Sequence, residues 1–409
     1  MRPETVAATQ PAATGSRRRA VVVSALGITQ ILAWGSSYYL LAVLAQPIQE
    51  DTGWPIAWIV GGLSLGLLIA GLVSPKVGRV IEDRGGRPVL ALSSVLLAVG
   101  LLALALAPTL PVYVMAWVIM GLGMGAGLYD AAFATLGRLY GQSARQTITA
   151  LTLFGGFAST ACWPLSAFLV AELGWRGACL VYAAIQLCLA LPIHLLLLPR
   201  PDRRDPVLPD AAGASPGAAH SPRPARFAFL VLAAIITIGS VVSATMSVHL
   251  FTILQAYGIG LSSAVAFGAL VGPAQVAARA VEMAIGRHHH PIWTMAASTA
   301  CVTLGLGALW AGFPFVAPTL LFYGVGIGLA SIARGTLPLG LFGAQGYAAM
   351  MGRLAMPSLI AQAITPSLGA VLADGIGADG LLGVLVGLAG FNVILLAGLW
   401  AGAVRTRPG

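Results

Sequence analysis

The chain has 409 residues, 58% of them hydrophobic and only 9% charged, with a mean hydropathy of +0.89. A soluble domain is about a quarter charged, so this composition excludes a soluble globular surface and places the chain in the membrane class. The formal net charge of +9 does not indicate nucleic acid, which requires basic residues gathered on one folded face; here they recur between apolar runs and mark topology.

The first predicted element opens with Arg17, Arg18 and Arg19 and continues apolar to about Gln46. That is too long for the roughly 7–15-residue apolar core of a signal peptide, so it reads as a first membrane span. Breaking the chain at charged and Gly/Pro-rich clusters predicts helices over 20–46, 55–74, 88–107, 112–135, 147–171 and 175–198, then 227–255, 260–283, 291–311, 315–336, 348–373 and 380–403. This gives about twelve spans of the roughly 20 residues that a bilayer core requires. The expected organisation is an N-terminal six-helix bundle over 1–199, a linker over 200–226 and a C-terminal bundle over 227–409. The linker holds Pro201, Pro206, Pro209, Pro216, Pro222 and Pro224 among Ala, Gly and Arg, a composition that cannot bury a core.

With both termini placed inside, Arg79, Arg84, Arg87, Arg138, Arg145, Arg203, Arg204 and Arg287 fall at the cytoplasmic side, while Glu50, Asp51, Glu172, Asp374 and Asp379 fall outside. That asymmetry follows the positive-inside rule, and moving the assignment by one helix would reverse it. Cys162, Cys179, Cys188 and Cys301 sit in apolar runs without metal-ligand spacing and read as packing residues.

Six helices, a linker and six more suggest a duplication. Arg79-Val80-Ile81-Glu82 with Gly86-Arg87 matches Arg279-Ala280-Val281-Glu282 with Gly286-Arg287, at a shift of 200. Gly123, Gly125 and Gly127 recur as Gly324, Gly326 and Gly328, and Thr135-Leu136 as Thr336-Leu337, at a shift of 201. Between the second and third helices stands Gly78-Arg79-Val80-Ile81-Glu82-Asp83-Arg84-Gly85-Gly86-Arg87, a short charged turn rich in the glycine that tight geometry needs. This loop, with the six-plus-six layout, resembles the signature of the major facilitator superfamily. Glu82 stands where that family has Asp, and Asp83 where it has Arg. The resemblance implies an all-α membrane protein of two pseudo-symmetric six-helix bundles, with helices 1, 4, 7 and 10 lining a central cavity near the bilayer midplane. Trp117 stands where many proton-coupled members carry an Arg, which counts against that mode of proton coupling, and helix 5 lacks the glycine-proline ladder typical of drug antiporters, which counts against multidrug efflux.

Ionisable residues inside spans are functional hypotheses by default. Asp130 in helix 4 and Arg334 in helix 10 are candidates for an inner gate pair, with Asp130 alternatively a proton carrier. Gln30, Trp34 and Ser37 share a face of helix 1, with Tyr39 beside it; Ser240, Ser243 and Ser247 line one side of helix 7, and His249 another. Tyr39 and His249 fall at matching repeat positions, so both are candidate pocket residues; the open alternatives are a structural, hydrogen-bonded His249 and polar stripes that only glue helices together. Gln275, Gln362, Arg279 and Arg353 lie on helices 8 and 11. An Arg in a membrane cavity suits a carboxylate, but the loop motif assigns Arg279, and a helix start assigns Arg353, to the interface.

No Walker lysine, nucleophilic set or metal-ligand cluster appears, so no cofactor, metal or enzymatic activity is expected. The expected function is secondary transport of a small solute, an organic anion or metabolite, by alternating access with protons as coupling ion. The expected partners are that solute, protons and the lipid bilayer, with no nucleic acid. The expected setting is the bacterial inner membrane, as a monomer. A transporter-like receptor or scaffold without turnover and an efflux antiporter are the alternatives.

Overall fold

A computed structural model describes residues 12–200 and 222–405. The expected linker, with Arg203, Arg204 and Pro209, lies almost wholly outside the described residues. Every regular element among them is helical, and eight helices are long and apolar enough to cross a membrane.

The N-terminal half comprises α1 (Ala12–Gly35), α2 (Leu41–Thr52), α3 (Ile56–Arg84), α4 (Gly86–Ala105), α5 (Leu110–Gly127), α6 (Tyr129–Tyr140), α7 (Ala144–Gly155), α8 (Ala158–Ile185) and α9 (Leu191–Leu197). The C-terminal half comprises α10 (Pro222–Ala256), α11 (Leu261–Gly268), α12 (Val271–Ile285), α13 (Pro291–Trp310), α14 (Val316–Phe342) and α15 (Tyr347–Arg405). The left-handed residues Gly174 and Gly377 turn the chain inside α8 and α15 at the outer loops the sequence predicts there.

Expected boundaries move at several places, and the expected spans 147–171 and 260–283 are each broken, at 156–157 and 269–270. The first span is broken by the turn at 36–40, and the fourth by Leu128, whose ψ of −171° stops α5 before α6 begins. The loop motif is mostly helix: α3 runs through Arg84, and Gly85 alone, at φ 80°, separates it from α4.

The repeat is present in the packing at a different register. Gly121, Gly123 and Gly125 let α5 approach the Gly66 carbonyl, Leu97 and the Ala70 carbonyl. Gly324, Gly326 and Gly328 let α14 approach the Val271 carbonyl, Val302 and the Gln275 carbonyl in the same order. Gly324 therefore takes the place of Gly121 rather than Gly123. Gln275 takes the place of Ala70, and Arg279, one turn further on, that of Ser74 rather than Arg79.

On the face where residues 200 and 222 leave the described chain, here the linker face, both halves share one core. Ile81, Phe133 and Ile148 pack with Ala333, Leu337, Tyr347 and Met351. Towards the opposite face the core divides, into a cluster around Leu44, Trp117 and Tyr182 and another around Met246, Tyr323 and Leu385. The conformation is thus sealed at the linker face. Gly78 and Gly352 make that seal possible: a Cβ on Gly352 would lie 2.3 Å from the Ser74 carbonyl, and one on Gly78 2.5 Å from that of Ala348. Glu82 accepts bonds from the Ala348 and Ala349 amides at 3.0 and 3.4 Å, capping the otherwise unsatisfied N-terminus of α15 with a carboxylate that its dipole favours. Glu282 instead accepts from Thr294 at 2.7 Å and faces His289 at 3.5 Å and Arg145 at 3.9 Å. Arg79, Asp83 and Arg84 are exposed, Gly86 packs on Thr135, and Arg87 donates to the Leu195 carbonyl. Arg287 is bonded to His288, and Gly286 packs on Glu282.

Candidate functional site

The break at Leu128 shapes the centre of the molecule. Ending α5 at Gly127 frees carbonyls inside the bilayer, where an unsatisfied backbone group is costly. Gln30 satisfies the Gly127 carbonyl through its side-chain amide at 2.6 Å and accepts the Trp34 indole at 3.3 Å. The restart gives α6 a new N-terminus, and Asp130 occupies its first turn, where the helix dipole favours a carboxylate.

Across the interface, Arg334 of α14 meets Asp130 with two parallel bonds, Nε to Oδ1 at 2.9 Å and Nη2 to Oδ2 at 2.8 Å. Its Nη2 also donates to Ser358 at 2.9 Å. This fork geometry is the strong form of an Arg–carboxylate contact, and it joins the two halves at the floor of a cavity of about 300 Å³.

The two walls of the cavity differ. The N-terminal half contributes rings: Trp34 lies 5.1 Å from Tyr129, 5.2 Å from Tyr38 and 6.0 Å from Tyr39, and all four line the space. The C-terminal half contributes polar groups, among them Ser243, Ser247, Gln275, Ser331, Gln362 and Arg279.

Arg279 corrects the expectation that it belongs to the interface. It is 6% exposed and lines the cavity. Its Nε donates to Ser331 at 3.0 Å, Nη1 to the Thr152 carbonyl at 3.2 Å and Nη2 to Gln275 at 3.3 Å. All three acceptors are neutral, and among the described residues no carboxylate lies within ion-pair distance of it. Buried charges are ordinarily paired, so this guanidinium holds a positive charge in reserve, facing the space.

Of the other sequence candidates, Trp34, Tyr39, Ser243, Ser247, Gln275 and Gln362 line the cavity with Asp130 and Arg334. Gln30 does not; it secures the α5 break. His249 is corrected too: it is buried against Gly369, whose Cβ would lie 2.7 Å from its Nε2, and that nitrogen has no hydrogen-bond partner. The close passage of α15 past α10 at a glycine, invisible in helix 7 alone, turns His249 away from the cavity. Arg353 is exposed. Sequence reasoning missed Tyr129 and Asn392, both cavity-lining.

A family model described as Major Facilitator Superfamily matches residues 26–346. The chain belongs to the major facilitator superfamily. Its family makes it a multi-pass membrane transporter rather than an enzyme. Among solved structures, the human organic anion transporter MFSD10 superposes with a TM-score of 0.71 at 19% identity, covering 95% of this chain and 100% of that one. The proton:xylose symporter XylE matches with a TM-score of 0.71 at 11% identity, covering 94% and 96%. The E. coli fucose:proton symporter FucP matches at 0.68 and 15%, covering 96% and 100%. At such identities these likenesses concern the fold. A mouse protein named monocarboxylate transporter 11 is 34% identical over 167 residues, 39% of this chain and 34% of that protein. An uncharacterized 38 kDa protein of Thermoproteus tenax is 29% identical over 169 residues, 41% of this chain and 44% of that protein. The chain thus spans less than half the length of the curated relatives it matches.

Proposed function

We propose that this superfamily member moves a small carboxylate-bearing solute with an apolar body, by alternating access of the cavity between its two halves. The observation that carries the reading is Arg279, a buried guanidinium with neutral partners opening onto a cavity whose far wall is aromatic. A carboxylate on Arg279 completes a charge-assisted pair, and the body of the solute lies against Trp34 and Tyr129. The relative named for monocarboxylates and the fold neighbour named for organic anions support this class.

In this reading Asp130–Arg334 is the inner latch, broken when the halves rock and the linker face opens. Among the described residues Asp130 is the one carboxylate lining the cavity. As the one acid facing the cavity, Asp130 is the proton carrier in this reading. The linker face is taken as cytoplasmic, with both termini on that side of a bacterial inner membrane, and the sealed conformation then faces outward. The unit of transport is one chain, divided at 1–199, 200–226 and 227–409.

The test is thermal unfolding of purified protein against a panel of organic anions, sugars and organic cations. A ligand at about a hundred times its Kd stabilises the native state by about 2.7 kcal/mol. Stabilisation confined to carboxylates, and lost in Arg279→Gln, is expected; stabilisation by sugars or cations alone would refute the reading.

A further inference from the structure

Two guanidiniums line the cavity, and one of them is neutralised. Arg279 donates to Ser331, and Arg334 follows Ser331 by one turn of α14; residues so spaced have Cβ atoms about 5–6 Å apart. Both head groups open on the same cavity. Arg334 is occupied twice over by Asp130 and once by Ser358. Arg279 has neutral acceptors alone.

From this asymmetry we propose that Asp130 sets the charge of the anion the cavity accepts. It occupies the second of two carboxylate sites, so that monoanions bind and dianions are refused. The proposal deepens the reading of Arg279 as the anion site and rests on it. With Asp130 on Arg334, one carboxylate on Arg279 brings the four charged groups to neutrality. A second carboxylate on the same ligand has two choices: to remain unpaired in a low-dielectric space, or to displace Asp130 and leave that carboxylate unpaired instead. Either way one buried anion lacks a partner, which is the costly arrangement. Removing the charge of Asp130 removes the conflict and leaves both Arg279 and Arg334 open to the carboxylates of one ligand.

The experiment is calorimetric binding to purified protein, at a pH where every ligand is fully ionised. Butanoate and phenylacetate are compared with succinate and glutarate. Wild type is expected to bind the monocarboxylates and to bind the dicarboxylates about tenfold more weakly or less, the scale of one lost charge-assisted bond. Asp130→Asn keeps the shape, and in it the dicarboxylates are expected to gain about tenfold or more. Asp130→Asn with Arg334→Gln should lose that gain. Asp130→Ser serves if the Asn variant does not fold. If neither folds, Arg334→Gln alone decides, because the freed Asp130 should then suppress monocarboxylate binding. Wild-type ranking retained in the Asp130 variants, a gain that survives the double substitution, or undiminished monocarboxylate binding in Arg334→Gln overturns the proposal while leaving Arg279 as the anion site. Wild type that binds no carboxylate of either charge overturns the Arg279 reading, and this proposal with it.

Discussion

Arg279 keeps a positive charge inside the membrane with three neutral acceptors and no counter-ion among the described residues. An uncompensated buried charge lowers stability, so Arg279→Gln is expected to hold or raise the apparent Tm of the ligand-free protein while abolishing stabilisation by carboxylates. A fall in Tm of the size caused by a lost core contact would show Arg279 to be structural. Arg279→Lys keeps the charge but loses the planar fork, and is expected to weaken carboxylate binding about tenfold, the equivalent of one charge-assisted bond. Gln30 makes the contrast. Gln30→Leu strands the Gly127 carbonyl and the Trp34 indole, at about 1–3 kcal/mol, and should lower Tm in detergent without changing which solutes bind. The sequence marked both residues as polar groups inside spans, left Gln30 between pocket and helix glue, and misplaced Arg279. The helix 1 face did not decide for Gln30 because it does not reveal that helix 4 breaks beside it. Arg279 looked like interface because the shift of 200 set it against Arg79, whereas packing sets it against Ser74.

At the scale of elements, α3 and α15 meet through Gly78 and Gly352, with Glu82 capping the start of α15. A Cβ at Gly352 collides with backbone, which cannot yield as a side-chain tip can. Overpacking of this kind costs about 1–3 kcal/mol, and the cost falls on the sealed conformation in which the two helices touch. Gly352→Ala is therefore expected to shift the population towards a conformation open at the linker face. In a background freed of its other cysteines, a cysteine replacing Ser74 should be alkylated several-fold faster in the Ala variant; equal rates would mean the contact does not hold the seal. Most helices were legible from apolar runs and their charged punctuation, because a bilayer leaves few other solutions. The breaks at 36–40 and Leu128 were not: Leu128 carries no glycine or proline signal of its own, and the carbonyl freed beside it is met by Gln30 from another helix. The register of the glycine repeat was off by two residues because glycines alternate in both copies, and alternation alone does not select one phase.

For the whole molecule, the two bundles share a core at the linker face and have divided cores beyond it, which in the proposed alternating-access cycle is one end state. Asp130–Arg334 joins those bundles at the cavity floor, so its role is a property of the assembly. Reversing either charge alone should stop transport, and the double exchange Asp130→Arg with Arg334→Asp should restore part of it; no recovery would remove the latch reading. The charge pattern that suggested an inner gate from sequence rested on two residues 204 positions apart, and the duplicated layout gave the reason to compare them. The substrate was not legible, since neither the superfamily nor its signature specifies which walls face the solute. Whether Arg279 receives the carboxylate of a transported anion is decided by uptake of radiolabelled butanoate into proteoliposomes under an inward proton gradient. Wild type is expected to accumulate the label and Arg279→Gln to match empty liposomes. Equal uptake by the two proteins, or flat traces from wild type across a broad panel of carboxylates, would contradict that role.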